Sequence, residues 1–333
     1  MAADVAIDIG TSATRVATQR GIIFDEPTLV AIDTASGDVV DVGHHALDRV
    51  GRTPRHVAVF RPLAQGTTVD FDVTARLIAG LFERSNISKM SRARVVMSVP
   101  SVATSIERRA LRQAAIRAGA REVSLIEAPI AAAIGLGMPV QDPVGSAVAV
   151  LGGGASEAAL VSLGGIVTSG ARRTGGSDID TNLAGLLRAR HGVVVAPATL
   201  NELKLTMASA RNRSAGEKVT VSARTVDRGR PVSIDVRADL VNEALVPVVQ
   251  STIALVQECL GQAPPDLSQD ISQSGLTLVG GNAQLRDFAE LLALSTGVDI
   301  HVAPEPDLVI IKGLQLCLEQ MSALHSLFRS VDA

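Results

Sequence analysis

Two copies of one pattern lie about 140 residues apart and constrain this chain more than any other feature. The first reads Val5-Ala6-Ile7-Asp8-Ile9-Gly10-Thr11-Ser12-Ala13-Thr14, the second Ala147-Val148-Ala149-Val150-Leu151-Gly152-Gly153-Gly154-Ala155-Ser156. Each is an apolar strand that enters a glycine turn and leaves through small residues into a second strand. Such turns present main-chain N–H groups to an anion, and two of them face to face grip a polyphosphate from both sides. Asp8 stands two residues before Gly10, but the matching place before Gly152 holds Val150. The pattern predicts a nucleotide cleft with an acid on one wall only.

The order of elements repeats as well. Residues 4–9, 14–18 and 21–31 read as an antiparallel meander. A helix follows with Asp72 as its cap and Val73, Leu77, Ile78, Leu81 and Phe82 on one face. Residues 94–99 read as a buried strand ending at Pro100, Thr104 to Glu107 as a capping box opening a helix to Gly119, and 122–126 as another strand. Pro129 suits the first turn of a helix through Ala133. The second half repeats this with a meander near 147–172, a strand at 275–279 and helices at 284–295 and 313–328. The predicted class is α/β, with two duplicated lobes around a cleft, each carrying a smaller insertion. The first lobe core takes 1–32, 66–144 and 314–333 with its insertion at 33–65. The second takes 145–178 and 241–313 with its insertion at 179–240.

Composition narrows the function. The 333 residues are 47% apolar but hold no Trp, no Tyr and six Phe, so aromatic base-stacking platforms are not expected. A net charge of −3 gives no footprint for nucleic acid, and the pairs Arg108-Arg109 and Arg172-Arg173 read as solvated faces. Cys259 and Cys317 match no metal or disulfide spacing and read as core residues. No signal peptide and no uninterrupted apolar run near the length of a membrane span is visible. A soluble cytoplasmic protein is expected.

The chain resembles the actin superfamily and, within it, the MreB-like bacterial actin homologues. The likeness rests on an ordered set: Asp8-Ile9-Gly10-Thr11, Gly51-Arg52-Thr53-Pro54, Arg61-Pro62 with Gly66, Val99-Pro100-Ser101, Glu107-Arg108-Arg109, Leu125-Ile126-Glu127, Ser162-Leu163-Gly164-Gly165, Gly175-Gly176 and Gly280-Gly281. The resemblance implies the actin-like fold and an ATP site. In it Asp8, Gly10, Thr11, Ser12 and Ala13 hold the phosphates from one side, with Asp8 ordering a magnesium-bound water. Gly152, Gly153 and Gly154 cradle them from the other. Asn201, Glu202, Leu203 and Lys204 serve the ribose and base where the family carries a glutamate–lysine pair. Gly280, Gly281, Asn282 and Ala283 form the adenosine turn.

Three departures from the family pattern bear on catalysis. Val150 replaces an aspartate, Ala155 a threonine, and Ala128 the water-positioning glutamate, with Glu127 only its neighbour. No catalytic residue is therefore assigned, and ATP binding with weak or absent hydrolysis is expected.

The implied function is a cell-shape cytoskeletal protein that assembles with itself or with an active MreB-like paralogue, in contact with cell-shape membrane proteins and peripheral to the inner membrane surface. The loop Ser85–Met90, with Ile87, Met90, Lys89, Arg92 and Arg94, offers weak interfacial contact. Two alternatives are a nucleotide-independent scaffold or cap for such filaments, and a small-molecule kinase of the same superfamily.

Overall fold

The computed structural model describes residues 4–87, 93–212 and 216–319. In the first half, strands β1 (Val5–Ile9), β2 (Ala13–Thr18), β3 (Gly21–Pro27), β4 (Val30–Asp33), β5 (Val39–Val42), β6 (Val57–Phe60), β7 (Leu63–Ala64), β8 (Thr67–Thr68), β9 (Arg94–Val99) and β10 (Glu122–Glu127) alternate with helices α1 (His44–Asp48), α2 (Phe71–Arg84), α3 (Ser105–Ala118) and α4 (Ala128–Gly135). The second half holds β11 (Ser146–Leu151), β12 (Ser156–Ser162), β13 (Gly165–Arg172), β14 (Val193–Val194), β15 (Lys218–Thr225), β16 (Pro231–Arg237), β17 (Leu276–Val279) and β18 (Ile300–Val302). Its helices are α5 (Gly176–His191), α6 (Pro197–Met207), α7 (Ala238–Gly261), α8 (Pro265–Ser274), α9 (Phe288–Thr296) and α10 (Val309–Glu319).

The duplication is visible in the sheets. One runs β10-β9-β1-β2-β3 and the other, read the same way, β18-β17-β11-β12-β13. In each, the first strand pairs antiparallel with the next in sequence and parallel with a strand that arrives much later. β1 and β11 are buried along their whole length, as central strands covered on both faces must be. Smaller sheets, β5-β4-β6 and β14-β15-β16, form within residues 30–60 and 193–237, the first taking in β4 from ahead of the expected insertion at 33–65. α5 begins at Gly176, α7 at Ala238 and α10 at Val309, so the expected divisions at 178, 240 and 313 fall inside helices.

Two large cores lie one in each half. A third cluster joins Ala6, Val96, Ile130 and Val161 with Ile311, Leu314 and Cys317, so α4 and α10 tie the halves together. These helices cross through Gly135 and Gly313: a Cβ on Gly313 would lie 1.8 Å from the Ala131 carbonyl oxygen, and one on Gly135 2.2 Å from that of Val309. α7 is long and apolar enough to span a membrane by composition, yet it carries Leu240, Val241, Leu245, Leu255 and Val256 into the second core.

Several local expectations are corrected. Asp70, not Asp72, caps α2: its extended backbone lets the carboxylate accept from Val73 N at 3.0 Å. Asp72 sits in the first turn and pairs with Arg117. The strand expected over 21–31 breaks after Pro27, where Thr28 turns inward and donates to the Gly10 carbonyl at 2.6 Å. The helix expected from 284 begins at Phe288, because Gly281–Gln284 forms a 3-10 turn and Asp287 takes a left-handed conformation. The last helix starts at Val309 rather than 313, and its expected end at 328 lies outside the described residues. Ile87 is buried in the first core and is not open to a membrane surface, whereas Arg94 pairs with Asp4 and keeps its side chain partly exposed. Lys89, Met90 and Arg92 lie outside the described residues. Of the basic pairs only Arg108 departs from a solvated face, being largely buried against Glu127; Arg109 is exposed, and Arg172 and Arg173 make surface ion pairs with Glu258 and Glu107.

Candidate functional site

The two glycine turns face each other across a cleft of about 260 Å³. Both turns close with the same bond, Gly10 N to Ala13 O and Gly152 N to Ala155 O, each 2.9 Å. They approach so closely that a Cβ on Gly153 would lie 2.0 Å from Ser12 Oγ, and one on Gly154 2.2 Å from Thr11 Oγ1. Glycine is required there by the facing turn rather than by backbone torsion. The tip of the β7–β8 hairpin also enters the cleft, with Gly66 N donating to Thr11 Oγ1 at 3.0 Å.

On the first wall, the Asp8 carboxylate is 9% exposed and accepts from Ser98 Oγ at 2.6 Å. Burial raises its pKa, while the Ser98 bond and the nearby Arg15 guanidinium pull it down. Arg15 is the cross-strand partner of Asp8 and bridges Asp25 and Asp307, each at 2.9 Å. Thr11, Ser12 and Ala13 line the cleft beside Asp8.

The second wall is different in chemistry. Val150 and Ala155 line the cleft there and, from the α4 N-terminus in the first half, so does Ala128, with no side-chain oxygen among them. Glu127 is absent from the lining; its carboxylate meets Arg108 at 2.7 Å. It therefore does not stand in for Ala128. The turn's carbonyls are already engaged: Ser177 N donates to Gly153 O and Asn282 Nδ2 to Gly152 O, both at 2.7 Å.

Of the residues expected around the nucleoside, Asn201, Lys204, Gly280, Gly281 and Asn282 line the cleft. Glu202, Leu203 and Ala283 do not. Successive helical residues turn by about 100°, so Asn201, Lys204 and Leu205 share the cleft face of α6 while Glu202 and Leu203 leave it. Leu203 is 1% exposed in the second core, Ala283 is likewise buried, and Glu202 faces a separate small pocket against β15. Lys204 is nearly buried, with Nζ 2.8 Å from Asp180 and 3.2 Å from the Gly176 carbonyl.

Sequence reasoning missed Arg15, Asp307 and Glu157. Glu157 is 3% exposed, lines the cleft, and accepts from both Ser101 N at 2.7 Å and Ser101 Oγ at 2.6 Å. Burial raises its pKa, the Ser101 bonds opposing. The signal was present: a single glutamate stands in an otherwise uncharged strand, β12.

No group of three or more His, Cys, Asp or Glu is disposed to hold a metal ion among the described residues. The acids that line the cleft are Asp8, Glu157 and Asp307. Mg²⁺ favours sparse protein ligation.

A duplicated pair of mixed sheets, each with an insertion, joined by a helix pair and opening a cleft between twin glycine turns, defines an actin-like protein. The comparisons make it particular. The profile of the MreB/Mbl protein family matches residues 2–326. The chain is 37% identical over 325 residues to the cell shape-determining protein MreB of Escherichia coli (strain K12), covering 96% of this chain and 94% of that protein. It is 32% identical to the cell shape-determining protein Mbl of Bacillus subtilis (strain 168), covering 97% and 98%. Among solved structures, MreB5 of Spiroplasma citri bound to ADP superposes with a TM-score of 0.87 at 24% identity, covering 97% of this chain and 98% of that one. The MamK double helical filament gives 0.79 at 17% identity, covering 96% and 99%. The chain belongs to the MreB/Mbl family, and is an actin-like cytoskeletal protein of cell-shape determination that works in the cytoplasm.

Proposed function

We propose that this chain is a nucleotide-gated filament component that binds ATP between its two lobes and hydrolyses it slowly or not at all. The observation that carries the reading is the asymmetry of the cleft. Asp8 and its serine partner are in place beside the first glycine turn, whereas the lining positions Val150, Ala155 and Ala128 carry no side-chain oxygen. MreB5 was solved with ADP and with AMPPNP, and MamK as a filament, which supports the nucleotide-binding and the filament parts of the reading. Bound magnesium would neutralise phosphate charge and order water. Asp8 would hold one such water, and the glycine turns would admit the phosphates to main-chain N–H groups. General-base assistance is worth about 10²–10⁴-fold, and neither Ala128 nor Val150 has a group that could give it.

Nucleotide acts in this reading as a ligand that favours the closed arrangement of the lobes and so biases assembly. Slow turnover removes the step that would reverse it. The four-part division, with insertions near 33–65 and 179–240, is the frame for that closure. Partners are further copies of this chain, an active MreB-like paralogue, and membrane proteins of the cell-shape system at the inner membrane surface. Nucleic acid is not among them.

Calorimetric titration with magnesium-ATP tests the reading, with Asp8→Ala as control. Micromolar binding that weakens sharply in the variant is expected. No heat at millimolar nucleotide would overturn it and favour the second reading, a nucleotide-independent scaffold. A specific contact set favours that alternative: the two turns touch, Asn282 is spent on Gly152, and Lys204 on Asp180.

A further inference from the structure

We propose that Glu157 is the second lobe's acidic group toward the cation-bearing phosphates of the nucleotide, serving where position 150 carries no carboxylate. The inference rests on the nucleotide reading above. Register makes the first part of the case: Val150 on β11 is directly opposite Glu157 on β12. Directly opposed residues project from the same face of the sheet with Cβ atoms about 4.5–5.5 Å apart. The glutamate therefore rises beside the valine into the cleft that both line.

A second observation ties the two acids to one end of that cleft. Ser98, at the end of β9, donates to Asp8 of the first sheet. Ser101, three residues on, donates through N and Oγ to Glu157 of the second. One short segment thus holds an acid from each wall. The Ser101 bonds go to a single oxygen, Oε2; Oε1 accepts no hydrogen bond among the described residues.

Burial of this depth is costly for a carboxylate unless charge or hydrogen bonds offset it. Two donors from one serine satisfy part of that need, and a phosphate-bound cation would satisfy the rest. Glu157 starts one strand away from position 150 and is one methylene longer than aspartate. Its role is to order a cation-bound water, not to replace a direct ligand. Glu127, at the end of β10, and Arg108, on α3, approach the same acid and contribute opposing charges.

The test is ATP affinity, by calorimetry, with magnesium and with EDTA, for wild type, Glu157→Gln, and Glu157→Gln with Val150→Asp. Glutamine keeps an oxygen for Ser101, and thermal melts verify that each variant folds. Wild type should bind more tightly with magnesium. Glu157→Gln should lose about tenfold of that enhancement, a usual effect for a group that orients a metal's shell, with EDTA affinity unchanged. Val150→Asp should restore it. Ser101→Ala checks a merely structural role, which would shift both affinities together. An enhancement that survives in Glu157→Gln would overturn this proposal and leave the nucleotide reading standing. No binding by wild type in either buffer would overturn both.

Discussion

The same substitution, glycine to alanine, should have opposite signs at two helical positions of this protein. At Gly313 the added methyl carbon would lie 1.8 Å from the Ala131 oxygen, 2.8 Å from its carbon and 2.9 Å from Gly135 N. All three are main-chain atoms of α4, so no side chain can rotate away. Ordinary contact begins near 3.4 Å, so α10 must withdraw by about 1.6 Å. A radial gap of about 1 Å already forfeits up to half of the dispersion energy across an interface. Ile311, Leu314 and Cys317 all lie on that interface, fully buried. Overpacking costs about 1–3 kcal/mol where neighbours can yield; here the expected loss is at or above the upper end, about 3 kcal/mol. Gly185, inside α5, meets nothing within 4 Å and has no left-handed backbone. Alanine there should stabilise by roughly 0.5–1 kcal/mol through helix propensity. Urea unfolding followed by circular dichroism measures both. A Gly313→Ala midpoint equal to wild type, or a Gly185→Ala midpoint below it, would refute the reasoning.

Restoring carboxylates should restore chemistry: Ala128→Glu with Val150→Asp is expected to raise single-turnover ATP hydrolysis by about 10²-fold or more, and an unchanged rate would show that something besides these two positions limits turnover. Burial lifts the Glu157 pKa above its ordinary value of 4.5, so its contribution to stability is fully present below that pH and is lost as pH rises through the folded value. Metal-free urea titrations should therefore show Glu157→Gln gaining on wild type between acid and neutral pH; a gap independent of pH would contradict the burial argument. Cys317 is fully buried with its thiol pushed up to about 12, and Cys259 is raised by burial as well. Neither should react with a disulfide reagent at pH 8 until urea unfolds the chain, when two thiols should titrate.

The twin glycine turns, the buried strands that enter them and the capping box at Thr104 were legible because each depends on a few neighbouring residues. Thr104 and Glu107 satisfy each other's main chain as their spacing requires, and Gly10 and Gly152 close their turns with one and the same bond. The loss of oxygen at Val150, Ala128 and Ala155 was equally plain, since a side chain's chemistry is fixed by its identity. Element ends were less so. Asp70 and Asp72 are both competent caps, and only the course of the chain from β8 decided between them.

Tertiary structure alone decided what lies opposite what. Helical phase removed Glu202 and Leu203 from the cleft while leaving Asn201 and Lys204, and contact with Asp180 fixed where the lysine's charge is spent. Glu157 could be seen as an odd charge in an apolar strand, but its place beside Val150 and its bonds to Ser101 come from strand register and from the meeting of two lobes. Arg15 and Asp307, far apart in sequence, meet for the same reason. Local chemistry is written in neighbouring residues. A site assembled from both halves of a duplicated fold exists only once loops, helices and sheets have brought distant residues within hydrogen-bond reach.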